Sequence, residues 1–125
     1  MKTHKHRGYY YNEKKTYLLL KGEDFLPTLK YFDDVNMILG ITDCGDNIQI
    51  FRQLYPCKFK QFRKQWRKEV NKIRGILLNK YGLYHNDIRT KNICIDTNNN
   101  VKLIDFDRTS TNLAMCEKKK NKCPF

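Results

Sequence analysis

Within HNDIRTKNICIDTNNNVKLIDFD, residues 85–107, several side chains have the types and spacing to handle a charged oxygen substrate. Asp87 can accept or orient a hydroxyl proton, a task that needs a carboxylate within hydrogen-bond reach. The side-chain oxygens of Asn92 and Asp105 are hard ligands of the kind magnesium prefers. Asn92, five residues beyond Asp87, can curl back towards a cation, while Asp105 approaches from the far end of a hairpin. Arg89 can offset negative charge beside Asp87, and His85 is placed to hold the loop and the Asp105-Phe106 segment together. Each piece alone has an ordinary alternative, in which Asp87 and Asn92 cap turns and Asp105 closes a strand.

Taken in order, the pieces form a recognisable series. His85-Asn86-Asp87-Ile88-Arg89-Thr90-Lys91-Asn92 resembles the protein-kinase catalytic loop, H-x-D-[LI]-x-x-x-N. Lys102-Leu103-Ile104-Asp105-Phe106-Asp107 resembles the strand and D-F-G segment that follow it, with Asp107 in the glycine's place. The resemblance implies phosphoryl transfer, which rests mainly on positioning and charge neutralisation. It makes Asp87 the base or orienting group, with Arg89 beside it. Asn92 and Asp105 become the metal ligands, with His85, Phe106 and Asp107 as structural support. The implied cofactors are ATP and Mg2+ or Mn2+.

Carried upstream, the resemblance makes Glu13 the helix glutamate that partners an ATP-binding lysine, and Thr42-Asp43-Cys44-Gly45 the hinge beside adenine. A solvated carboxylate at a helix start is the competing reading of Glu13. Lys2 and Lys5 stand too close to Glu13 for a lysine on a properly paired strand, and no Gly-rich loop is visible. The expected fold is therefore α/β (α+β), a kinase-like core with a reduced N-terminal lobe and a minimal C-terminal lobe. Residues 1–110 form one truncated domain, with 12–44 as lobe remnant and hinge and 58–107 as core. Residues 111–125 form a basic tail ending in EKKKNKCPF, expected to be mobile.

The positioning elements follow from periodicity. Phe59, Phe62, Trp66, Val70, Ile73 and Leu77 recur at helical steps and predict a helix over 58–80, stopped by Gly82. A shorter helix is expected at 12–21, capped by Asn12 and ended by Gly22. Strands are expected at Leu26–Phe32 and Met37–Thr42 around Asp33-Asp34-Val35-Asn36, and at Asn92–Ile95 and Val101–Ile104 around Asp96–Asn100. Leu83–His85 reads as a further short extended segment.

In bulk, 125 residues suit one domain, and 40% hydrophobic with 13% aromatic content is that of a folded chain. The apolar runs are too short to span a bilayer and the basic N-terminus lacks a signal's apolar stretch, so an intracellular, cytoplasmic, non-membrane protein is expected. Neither the five cysteines nor His4 and His6 show zinc-ligand spacing, and reduced thiols are expected. A net charge of +12 attracts polyanions in general.

Three readings remain. One is a phosphotransferase of serine/threonine type, weak alone, binding nucleotide. Another is a non-catalytic kinase mimic, or pseudokinase, that pairs with a protein kinase or another protein partner. The last is a nucleic-acid binder, using the basic helix 63–74 with Trp66 and the Lys118-Lys119-Lys120 run.

Overall fold

The computed structural model describes residues 2–113 and 124–125. It is an α+β molecule in which two small antiparallel sheets are covered by helices. The first sheet has the order β1-β3-β2, from β1 (Lys2–Thr3), β2 (Leu29–Asp33) and β3 (Ile38–Ile41). The second has the order β4-β5-β6, from β4 (Asp46–Asn47), β5 (Ile93–Ile95) and β6 (Val101–Leu103). The segment 42–45 joins the two sheets, leaving β3 and entering β4.

Helix α1 (Arg7–Leu19) begins five residues before the expected start. Asn12 is therefore no cap: it lies inside the helix, and its Nδ2 donates to the carbonyls of Asp107 and Thr109, both at 2.8 Å. The helix buries Tyr10, Glu13, Thr16 and Tyr17, a three- and four-residue spacing that carries Glu13 to the inner face. Its orientation is fixed by the β2–β3 turn, where Asp34 accepts from Tyr10 Oη at 2.7 Å and from Lys14 Nζ at 3.0 Å. Asp33 in turn accepts the backbone N–H groups of Val35 and Asn36, the side-chain turn chemistry expected of this sequence.

Helix α2 (Ile48–Leu54) and strand β4 were not legible in the sequence. Asn47 caps α2 by accepting from Ile50 N at 2.9 Å. The long helix α3 (Pro56–Tyr81) has Pro56 in its first turn, where a missing N–H costs nothing. It ends at Gly82, whose φ of 65° is the left-handed cap that a side chain resists. Phe59, Trp66, Val70, Ile73 and Leu77 are buried, while Phe62 is only partly so. Trp66 Nε1 donates to Asn99 O at 3.1 Å, pinning the β5–β6 turn to α3. Leu83–His85 makes no strand; Tyr84 forms a lone bridge with Ser110.

Of the basic tail, residues 114–123 lie outside the described residues, Lys118–Lys120 among them. Phe125 itself is buried in the core beside Phe59, ring centroids 6.0 Å apart, and its carbonyl accepts from Arg67 Nε. No described helix is long and apolar enough to cross a membrane.

Candidate active site

Two loop segments meet beneath α1. In the first, Asn86 holds a left-handed backbone, φ 69°, and in the second Asp105 does the same at φ 66°. Asn and Asp tolerate this region better than other side chains, yet such conformations still need support from their surroundings. His85 supplies much of it. Its Nε2 pairs with Ile104 O at 2.8 Å, its Nδ1 accepts from Asp87 N at 3.1 Å, and its ring lies edge-on to Phe106 with centroids 4.7 Å apart. Phe106 is fully buried and meets Tyr17 of α1 in a second edge contact at 5.6 Å. Burial drives the pKa of His85 below its ordinary 6.5, despite the nearby Asp87 and Asp105 carboxylates, so the ring is neutral and its accepting Nδ1 fixes the tautomer.

The Asp87 carboxylate is clasped from two sides. Arg89 Nε forms an ion pair with Asp87 Oδ1 at 2.7 Å, and Asn92 Nδ2 donates to Asp87 Oδ2 at 3.1 Å and to Asp87 O at 2.9 Å. With Nδ2 so committed, the Oδ1 of Asn92 is the atom left for a cation. Asn92 N closes a turn on Arg89 O, and Ile104 N reaches Asn92 O at 3.0 Å, so Asn92 is stitched to the second segment through the backbone.

Lys2 is the residue that sequence reasoning missed. Its strand is short but properly paired, Lys2 opposite Leu39 and Thr3 opposite Ile38, which corrects the expectation that it stood too close to Glu13. Lys2 Nζ lies 2.7 Å from Glu13 Oε2, is hydrogen-bonded to Asp105 Oδ1, and is 3.8 Å from Asp107 Oδ2. Glu13 is 1% exposed, so it is no solvated helix-start carboxylate. Two residues of regular extended structure show no apolar alternation, and that silence hid the strand. The usable signal was reach, since a four-carbon stem spans the gap that remains once α1 starts at Arg7.

The three carboxylates differ in their proton affinity. For Asp105, burial pushes the pKa up, but the bond and charge of Lys2 outweigh it and the net shift is downward. Asp107 is raised, by burial first and then by the negative charge of Asp105, with which it shares a hydrogen bond. Burial raises Glu13 in spite of Lys2. The Lys2 ammonium is lowered by burial but raised further by Glu13 and Asp105, so it stays charged. A single ammonium thus serves three acidic groups, one firmly ionised and two that hold a proton more readily.

His4, buried beside Tyr10, adds a nitrogen 3.3 Å from Glu13 Oε2. Donor atoms of His4, Glu13 and Asp107 lie within 4.8 Å of one another, a spacing compatible with one cation, although Lys2 already neutralises Glu13 there. The residues expected to form a hinge, Thr42, Asp43 and Cys44, are set apart from this cluster. Thr42 exchanges hydrogen bonds with Thr28, Asp43 Oδ1 accepts from Gly45 N at 2.9 Å, and Cys44 is buried and hydrogen-bonded to Cys94 of β5. Gly45, φ 92°, allows the close approach of β5: a Cβ there would stand 2.1 Å from Ile95 O. Trp66 is fully buried and unavailable for stacking on a base.

Compared with known proteins, the chain matches no family model and no curated protein sequence.

Proposed function

We propose that the chain is the core of a protein-kinase-like phosphotransferase that uses ATP with Mg2+ or Mn2+. The observation that carries this reading is the Lys2 bridge between Glu13 and Asp105, tied through His85 to the loop that bears Asp87 and Asn92. A motif match alone predicts residue types in order. It does not require a lysine 103 residues upstream to reach the same carboxylate.

In this reading Lys2 exchanges part of its pairing with Asp105 for nucleotide phosphate oxygens, while Glu13 keeps the ammonium in place. Asp105 and the Oδ1 of Asn92 offer the hard oxygen donors that a divalent cation needs. The cation, when bound, neutralises charge on the phosphates. Asp87 orients the attacking hydroxyl, and Arg89 must release it, or share it, for the proton to be accepted. The backbone of Thr42, Asp43 and Cys44 borders the adenine. His85 and Phe106 hold the two segments in register, and Asp107 replaces a glycine with a proton-holding carboxyl.

The Arg89–Asp87 ion pair also favours a second reading, a non-catalytic kinase mimic that docks on a protein partner. There the clasp closes the base permanently, and the basic surface does the recognition.

Single-turnover transfer from radiolabelled ATP to a generic hydroxyl acceptor distinguishes the two. Slow transfer that disappears in Asp87→Asn and in Lys2→Met, with circular dichroism unchanged, supports the enzyme. Transfer that survives Asp87→Asn refutes the assigned role. Equal inertness of wild type and variant leaves the mimic.

A further inference from the structure

Between Lys60 and Lys72 every exposed side chain of α3 is a cation or an amide. The exposed cations are Lys60, Arg63, Lys64, Lys68 and Lys72, and Gln61, Gln65 and Asn71 fill the positions between them. Glu69 is the one acid in this stretch; it is half-buried and its carboxylate accepts from Val101 N. The apolar residues of the same stretch, Phe62, Trp66 and Val70, pack into the core.

The exposed face has an excess of charge that the chain does not balance. Among the described residues no carboxylate pairs with any of the five cations. Residues 114–123, outside the described ones, contain one carboxylate, Glu117, and four lysines, so their composition adds positive charge. Lys60, Lys64, Lys68 and Lys72 also stand four residues apart on the helix, the spacing at which like charges repel. Packing gains nothing from such a row, whereas a polyanion laid along it removes the repulsion.

We propose that this face of α3 docks on duplex DNA through the phosphates that border its major groove. From Lys60 to Lys72 the helix rises about 18 Å at 1.5 Å per residue. The same length of duplex presents about ten phosphates, one per roughly 1.7 Å of axis. Ammonium, guanidinium and amide groups are the side chains that contact phosphate oxygens. A protein partner would call for aromatic or apolar anchors, and a membrane surface for an apolar face; this stretch exposes neither. Single strands are held by rings that stack on bases, and Trp66 is buried. The major groove of B-form DNA, about 12 Å wide, admits a helix, while that of A-form RNA is too narrow.

The probe is a fluorescein-labelled DNA duplex of mixed sequence, titrated with the intact chain and read by anisotropy at about 50 to 200 mM NaCl. Saturable binding is expected, with log K falling against log salt at a slope of about −4.5, or −0.9 for each of five contacts. Arg63→Gln, Lys64→Gln and Lys68→Gln combined should weaken binding at least about tenfold at low salt and flatten the slope by about 2.7. A control with the same loss of charge elsewhere, Lys15→Gln, Lys21→Gln and Lys30→Gln, should lose no more than about threefold, since screening limits distant charges. All six side chains are exposed, so circular dichroism should match wild type in both variants. Equal weakening by the two variants overturns the proposal, because the net charge and not α3 would then be binding. Unlabelled duplex DNA should displace the probe better than single-stranded DNA, duplex RNA or polyglutamate at equal charge. Any of the three that matches or exceeds it overturns the proposal. So does a failure to saturate below about 100 μM at low salt, the weak limit of non-specific DNA binding.

Discussion

Lys2 Nζ stands 2.7 Å from Glu13 Oε2, joining a two-residue strand to the inner face of α1. The pair orders the site because Glu13 is almost wholly buried while the Lys2 side chain keeps 33% of its surface in water. The acid cannot turn elsewhere for a full counter-charge, whereas the ammonium can swing towards a ligand without leaving its stem.

Removing the ammonium should therefore cost stability as well as ligand affinity. Lys2→Met is expected to lower unfolding free energy by about 1–2 kcal/mol, less than a fully buried pair because solvent screens Lys2. Glu13→Gln alone should cost less, since burial already raises Glu13 towards its neutral form. Urea denaturation of the two variants and the double mutant gives the coupling. A coupling near zero would show that the bridge contributes nothing to the fold.

His85 makes stability pH-dependent with a defined sign. Its folded pKa lies below the ordinary 6.5, so between those two values the unfolded chain binds more protons. Stability is present above 6.5 and is lost as pH falls from there through the folded-state value, with a slope of at most about 1.4 kcal/mol per pH unit for one proton. Urea midpoints between pH 7.5 and 5.5 should fall for wild type and flatten in His85→Gln. A wild-type midpoint that rises on acidification would contradict the buried neutral ring.

Phe125 belongs to the core, so its truncation should be costly. Phe125→Ala is expected to destabilise by about 3 kcal/mol, the lower end for a buried phenylalanine. A loss under about 0.5 kcal/mol in thermal or urea unfolding, the range of ordinary surface changes, would mean that the residue is not held against Phe59.

Much of this was readable from the chain and some was not, for physical reasons. The buried stripe from Phe59 to Leu77 has a period long enough to announce α3, and the hairpin β5–β6 is marked by Asp96-Thr97-Asn98-Asn99-Asn100. Short elements carry no such period. β1 and β4 have two residues each and α2 has seven, and all three exist because partners elsewhere in the chain complete them. The α1 start was misplaced because Asn12 looked like a cap, whereas its amide serves the carbonyls after Asp105-Phe106. Local chemistry announced the loop residues His85, Asp87, Asn92 and Asp105. Lys2, joined to Asp105 only through the fold, could not be announced that way.

Metal dependence should follow the carboxylates unequally. Asp105→Asn should abolish Mn2+ binding in the presence of ATP, because it removes the acid that stays ionised beside Lys2. Asp107→Gly should have the milder effect, since Asp107 holds its proton more readily. Paramagnetic relaxation by Mn2+ reads both, and an unchanged response in Asp105→Asn would remove that residue from the proposed metal site.

The most direct measurement is calorimetric titration of the intact chain with ATP, once with excess Mg2+ and once with EDTA. The proposed core predicts weak, saturable binding with Mg2+, in the range of about 100 μM or above, and at least about tenfold weaker binding in EDTA, a difference of about 1.4 kcal/mol. Tight binding that ignores the metal, or no heat from ATP under either condition, would contradict a metal-bridged nucleotide site formed by Lys2, Asn92 and Asp105.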